Sequence, residues 1–399
     1  MAYTKTLKQR LGMIITNVRK EKSYSQKAFT TWLNYSQSMV SRIEKGYEDV
    51  NISVYLAVLD KLELNYDLET FTEEELVRYF EKLYNDVIRI DHHGFEELLE
   101  SLKILETNVI YLSDYLVLEL VNAHFMGDSN TCLEIINRLE NNDQLCYPTN
   151  QKLYRYIKLL TLRGMNQSQG INLNDLIIEE DNELAHYING VIYFYNHHYA
   201  KSLNHLLKSV DLCEQNKNFL RLARSQAFIN RMLMKEMDFL NLKIITSDLL
   251  HSENPILPYD LNTLIFQLAY SHYYLKEYET ALDLFLKLKD QSFIYQALLS
   301  YMISKCEFKL NHKTLPEIKD EEVNQENFLL YLLYKREKQK DEAYYTVIEN
   351  YILNHLNLHF EIKEMQIYSL ELLEYYFSKK AYKKYKQLND LLKITYKIV

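Results

Sequence analysis

Apolar residues recur along this chain at intervals of three and four, which places them on one face of an α-helix. In the first segment Leu11, Ile14, Ile15 and Val18 keep that spacing. A second, shorter helix begins near Ser25, whose side chain can cap it ahead of Gln26. Leu33-Asn34-Tyr35 ends that helix in a tight turn, because Asn tolerates the left-handed backbone conformation. Ser36 caps a third helix running to about Lys45, and Gly46 stops it. On the third helix Val40 and Ile43 face inward, while Gln37, Ser38, Ser41, Arg42 and Lys45 share the outward face. Residues 51–64 read as an amphipathic helix that closes a small domain.

Thr72, with Glu75 three positions on, has the form of a capping box before the next apolar run. The expected division is therefore 1–66 for the small domain, 67–72 for a linker and 73–399 for the remainder. Residues 65–72 contain no Gly, Pro or Ser, which predicts a short, fairly stiff connection. From residue 73 the helical pattern is almost unbroken, and it repeats. In residues 264–288 the small residue Ala269 precedes a turn at Glu277-Tyr278, and Ala281 opens a second helix. Residues 188–210 align on this unit with Gly190 and Ser202 in the small-residue places, and residues 227–250 align more loosely. The turn aromatics Tyr199, Phe239 and Tyr278 mark a period longer than the usual tetratricopeptide unit. Weaker echoes fall around Gly94, Gly127, Gly164, Thr314, Asp341 and Ala381, so eight or nine helix pairs would fit.

Composition sharpens this picture. Only 7 Gly and 4 Pro occur in 399 residues, too few for strands joined by tight turns, so the fold class is all-α. Cys132, Cys146, Cys213 and Cys306 lie far apart and are expected to be reduced core thiols. The first residues lack the apolar stretch of a signal peptide, and no run of eighteen apolar residues occurs, which predicts a cytoplasmic protein with no membrane contact. His355 and His359 have a ligand-like spacing without the Glu of a zinc protease or a third ligand, and the doublets His92-His93 and His197-His198 point to different faces. No phosphate loop, dinucleotide fingerprint or nucleophile elbow appears. Neither an enzyme nor a bound metal or cofactor is expected.

The formal net charge of -9 hides an asymmetry. Residues 1–47 hold nine Lys and Arg against two acidic residues, while residues 48–399 hold 37 against 53. A phosphate backbone would be drawn to the first segment only.

The stretch SQKAFTTWLNYSQSMVSRIEKG, Ser25 to Gly46, resembles the helix-turn-helix of Xre, Cro and phage-repressor proteins, with Thr30 and Asn34 where that family usually has Ala and Gly. The resemblance implies a five-helix DNA-binding domain in which Gln26 holds a phosphate, Gln37, Ser38 and Arg42 reach base edges, Lys45 meets the backbone, and Ser36 and Ser41 belong to the same DNA-binding set. It makes Arg19 and Glu44 a structural ion pair between the first and third helices. A degenerate helical solenoid behind such a domain resembles the peptide-pheromone receptors of the Rgg/Rap/NprR/PlcR/PrgX group. That resemblance implies a right-handed TPR-like α-solenoid and quorum-sensing control: a homodimer sits on an inverted-repeat operator in double-stranded DNA, and a short linear peptide binds the concave face. Placing the three best repeats on one register gives the candidate peptide contacts Tyr187, Asn189, Phe194, Arg224, Asn230, Arg231, Lys235, Phe266, Tyr270, Tyr273 and Tyr274. Two other functions fit the same architecture: a regulator whose solenoid binds a protein partner, and a bifunctional regulator that also acts on a signalling protein.

Overall fold

The structure, a computed structural model, describes residues 2–68, 73–91, 95–140, 148–164, 177–293, 295–311, 314–315, 317–319, 323, 328–359 and 363–396. All regular structure among the described residues is helical. Thr72, Gly94, Cys146 and the doublet His92-His93 lie outside them, as do the side chains of His355 and His359. The chain divides into two compact units, Met1–Leu176 and Ile177–Val399.

The first unit opens with α1 (Ala2–Glu21), α2 (Gln26–Leu33), α3 (Gln37–Glu44) and α4 (Ile52–Lys61). The caps read from sequence are present: Ser25 accepts from the Ala28 N–H, and Ser36 accepts from the Met39 N–H. Asn34 adopts φ 62°, and Gly46 ends α3 at φ +67°. Leu11, Ile14, Ile15, Phe29, Val40, Ile43, Tyr55 and Leu59 are buried together, whereas Val18 is only half-buried. Burying each such side chain stabilises by roughly 1.5–3 kcal/mol. Four helices, and not the expected five, precede residue 66. Residues 64–67 cannot form a fifth because their polar groups are engaged elsewhere: the Asn65 carbonyl accepts from the Val109 N–H, Asn65 Nδ2 donates to the Thr107 carbonyl, and Asn108 Nδ2 donates to the Asp67 carbonyl.

The expected boundary at residues 67–72 thus falls inside the first unit, whose remaining helices are α5 (Glu73–Arg89), α6 (Phe95–Leu102), α7 (Leu112–Phe125), α8 (Ser129–Glu140) and α9 (Pro148–Gly164). α7 is buried on most of its circumference, from Ser113 to Val121, because α8 and α9 pack on two of its sides.

The second unit contains α10 (Glu183–Tyr195), α11 (Tyr199–Gln215), α12 (Phe219–Lys235), α13 (Phe239–His251), α14 (Pro258–Tyr274), α15 (Tyr278–Leu286), α16 (Gln296–Lys309), α17 (Phe328–Lys338), α18 (Glu342–His359), α19 (Lys363–Ser378) and α20 (Tyr382–Tyr396). Each packs on its successor. Gly190 and Ser202 form the crossing of α10 and α11: Ser202 Oγ donates to the Gly190 carbonyl at 2.6 Å, and a Cβ on Gly190 would lie 2.6 Å from Leu206 Cγ. Ala269 and Ala281 are likewise fully buried.

The helix stops in both units share one geometry. The residue after the cap adopts positive φ at His197, Lys217, Met237, Lys276 and Lys380, as it does at Gly127. Its N–H donates back to the carbonyl three residues earlier, and the next N–H reaches the carbonyl five residues earlier, for example His197 to Phe194 and His198 to Tyr193. These bonds satisfy carbonyls that a helix end leaves without partners. The side chain immediately before the next helix then caps it where that residue is Asn or Asp, as at Asn218 and Asp238. Cys132, Cys213 and Cys306 are free thiols in the core, and burial pushes the Cys213 thiol up to about 12. No helix among the described residues is long and apolar enough to cross a membrane.

Candidate functional site

The first candidate surface lies on α3. Ser36, Gln37, Ser38 and Lys45 are exposed, Ser41 and Arg42 are half-exposed, and Val40 and Ile43 are fully buried beneath them. Arg42 forms an ion pair with Asp49 in which both side chains remain well exposed. Such a pair is worth little in water and can be exchanged for another anion. Ser36 is occupied as the cap and also bonds Ser38 at 3.1 Å. Behind this face, Arg19 Nε donates to Glu44 at 2.5 Å, which fulfils the ion pair expected between α1 and α3. Gln26, expected to hold a phosphate, donates instead to the second Glu44 oxygen at 2.9 Å. One carboxylate therefore ties α1, α2 and α3 together.

Two features here escaped the sequence reading. Gly12 lies where α1 crosses the end of α3, and a Cβ there would meet the Ile43 carbonyl oxygen at 2.4 Å. Arg10, on the same helix, is buried and donates at 2.7 Å to Asp114 and at 3.2 Å to the Ile110 carbonyl. Its guanidinium also lies over the Tyr111 ring, and Asn150 Nδ2 donates to the other Asp114 oxygen. No local pattern marks Gly12 or Arg10, because both residues act on partners distant in sequence.

The second candidate surface is the face of α12 that carries Arg221, Arg224, Phe228, Arg231 and Lys235 at helical spacing. It meets aromatic residues of α10 and the first residue of α11. Arg221 lies over the Tyr187 ring, Arg231 contacts the Phe194, Tyr195 and Phe228 rings and donates to the Tyr195 hydroxyl, and Lys235 lies 4.0 Å from the Tyr199 ring centroid. Burial, with Arg224 beside it, brings the Arg221 guanidinium down to about 10. Arg224 is the most exposed of these cations and is held by Asp260 of α14 through contacts of 2.9 and 3.1 Å. Tyr259 next to it is nearly half exposed. The aromatic and cationic residues expected on one face are thus brought together, although Tyr187, Phe194, Arg231 and Lys235 are largely buried in that contact.

Other expected contacts are committed internally. Asn189 exchanges two hydrogen bonds with the Ile178 backbone. Asn230 donates to Thr246 and Gln267 and accepts from Gln226. Both amides are buried and bonded within the chain at Oδ1 and Nδ2, and leaving such a group without partners would cost about 1–3 kcal/mol. Phe266 is fully buried between the Phe285, Phe293 and Tyr295 rings. Tyr270, Tyr273 and Tyr274 are expected on an open inner face, but the start of α19 covers Tyr270 and Tyr274, and Lys305 of α16 covers Tyr273. Glu364, near the start of α19, accepts from Tyr270 at 2.6 Å and from Tyr274 at 2.5 Å, and pairs with Lys305 at 2.5 Å. The Lys363 N–H donates to the Tyr270 hydroxyl, the Lys363 ammonium lies over the Tyr274 ring, and Lys305 lies over the Tyr273 ring. Burial pushes the Glu364 carboxyl up, but the Lys305 charge and the tyrosine hydrogen bonds outweigh it and hold the group below its ordinary value. Among the described residues no group of three His, Cys, Asp or Glu side chains could hold a metal ion.

No family model matches this sequence, and no curated protein or solved structure shows significant similarity to it.

Proposed function

We propose that this chain is a cytoplasmic DNA-binding transcriptional regulator: an Xre-type helix-turn-helix in its first 66 residues reads an operator, and a right-handed TPR-like solenoid behind it responds to a short signalling peptide. The observation that carries the reading is the left-handed turn at Asn34 between two capped helices, the second of which exposes Gln37, Ser38, Arg42 and Lys45 in the chain's basic first segment. A helix exposed this way can enter a major groove, and a bidentate contact from Gln37 to adenine or Arg42 to guanine discriminates by roughly 1–3 kcal/mol. Acting as a homodimer, the protein would bind two half-sites of an inverted repeat. The peptide reading is supported by the cation-aromatic face of α12 and α10, where Arg224, with Tyr259 of α14 beside it, reaches the surface to hold a carboxylate and cover an apolar side chain. The solenoid is given no catalytic role. Selection of operator sequences from random DNA, together with mass spectrometry of peptides that co-purify from the native host, tests both halves. Failure to enrich any sequence would remove the DNA-binding half.

A second reading, a solenoid that binds a protein partner, is favoured by a cleft of about 360 Å³ between α18, α19 and α20, lined by Ile352, Leu353, Leu372, Leu388 and Leu391. Leu353 is two-thirds exposed beside it. Leu353→Asp would abolish partner binding on this reading and leave a peptide response intact.

A further inference from the structure

Glu364 is almost wholly withdrawn from water, yet it is an ionised carboxylate on the second residue of a helix. The socket that receives it comes from elsewhere in the chain: Tyr270 and Tyr274 stand one turn apart on α14, and Lys305 projects from α16. Two phenols and one ammonium, all directed at the same two oxygens, match a carboxylate in charge and in hydrogen-bond count. A neutral amide would leave Lys305 without its countercharge. The pairing is a poor stabiliser by itself, because well-packed apolar residues usually do as well as a buried ion pair. What it provides is selectivity for a carboxylate.

Besides Glu364, the described start of α19 meets α12, α13 and α14 through the Lys363 N–H to Tyr270, the Lys363 ammonium over the Tyr274 and Phe239 rings, and Gln366 Nε2 to the Lys235 carbonyl at 3.3 Å. Further along, α19 packs on α18 and α20, and its Tyr368 and Glu371 meet Tyr301 of α16 and Arg336 of α17. Its first turn also lies at the end of the α12 face that carries the cations, since Gln366 reaches the last residue of that helix.

We infer that Tyr270, Tyr274 and Lys305 form a carboxylate-binding site, and that Glu364 is a tethered occupant which an incoming ligand carboxylate replaces. The socket itself needs no assumption about function; that its exchange regulates the protein rests on the peptide-responsive reading above. Tethering gives Glu364 an effective concentration in the millimolar range or higher, so a free carboxylate competes poorly. A ligand that also engages the adjoining cation-aromatic face has the additional binding energy to displace it. Release of Glu364 would free the start of α19, turning occupancy of the site into movement of the last three helices.

Two measurements on the full chain test this without using DNA or any native peptide. In Glu364→Ala the socket is emptied, and the melting midpoint should fall by about 5–15 °C in chloride. Sodium acetate at matched ionic strength should restore most of that loss, while leaving the wild type and Glu364→Gln, in which the socket stays filled, unchanged. Equal midpoints in acetate and chloride would overturn the site. So would an alanine variant that stays unfolded in both salts, since a socket that exchanges carboxylates must tolerate refilling. In the wild type, hydrogen exchange should open the first two turns of α19 at least tenfold faster than α14 and α16. Exchange of all three helices at a common rate would mean that Glu364 leaves only on global unfolding, and would overturn the replacement.

Discussion

Arg10 of α1 and Asp114 of α7, 104 residues apart, meet at 2.7 Å with both side chains buried. Asn150 from α9 holds the second carboxylate oxygen. The contact joins the basic N-terminal helices to the bundle that follows them, beside the hydrogen bonds by which Asn65 and Asp67 meet residues 107–109. Orientation of α1 is therefore set by a buried ion pair together with these bonds of the connecting segment.

Removing one partner should be far worse than removing both. Asp114→Ala leaves a guanidinium buried without its countercharge and should destabilise the first unit by about 3–5 kcal/mol. Arg10→Met combined with Asp114→Leu should recover much of this. Urea unfolding of Arg10→Met, Asp114→Leu and their combination forms a double-mutant cycle, and additive losses would deny the coupling.

Gly12 gives a prediction opposite to helix propensity. Inside a helix, Gly→Ala normally stabilises by about 0.5–1 kcal/mol. Here the added methyl would collide with the Ile43 and Glu44 carbonyls and the Gly46 N–H. These atoms are backbone and cannot turn aside, so Gly12→Ala should destabilise the α1–α3 contact by about 1–3 kcal/mol, read as a lower unfolding midpoint.

How much of this was legible depended on the distance over which each residue acts. Ser25, Asn34, Ser36 and Gly46 bond or bend their own local backbone, so residue type alone announced them. Arg19 and Glu44 are 25 positions apart and were found through a motif. Arg10–Asp114 and Glu364–Tyr270 are pairings set by packing between remote helices, and no local pattern marks them. Periodicity correctly put Tyr270 and Tyr274 on the face shared with Phe266. It could not say that α19, nearly one hundred residues later, would lie over that face.

On DNA, Arg42→Ala and Gln37→Ala should each relax sequence preference, with a loss of roughly 1–3 kcal/mol on the selected operator and little change on random sequence. Lys45→Ala should weaken all sequences alike and shallow the salt dependence by about one unit of slope. Fluorescence anisotropy across a salt series separates the two behaviours. Glu44→Ala should lower stability even without DNA, because it deprives both Arg19 and Gln26 of their acceptor.

His205 supplies a pH dependence. Its ring contacts His186 at 2.9 Å, stacks on Tyr193, and is held below its ordinary value of 6.5 by burial and by His186, whose other nitrogen faces Asp181. Folding thus favours the neutral ring. Its contribution is fully present above about 6.5 and is lost as the pH falls toward the depressed folded value. His205→Gln should flatten the decline in stability between pH 7 and 5, measured by denaturant midpoints; an unchanged slope would contradict the assignment.

The repeated helix stop has a consequence for how tightly this protein is built. Left-handed backbone costs a side-chain-bearing residue about 1–2 kcal/mol, yet His197, Lys217, Met237, Lys276 and Lys380 all accept it where glycine would not be penalised. Every one of these turns therefore carries reserve stability that a single substitution could release, at positions that leave the core untouched. An array whose joints are each held slightly above their minimum resists unfolding less than its packing would allow, and it can change the angle between successive helices at lower cost. Glycine at all five joints should give a protein that melts higher.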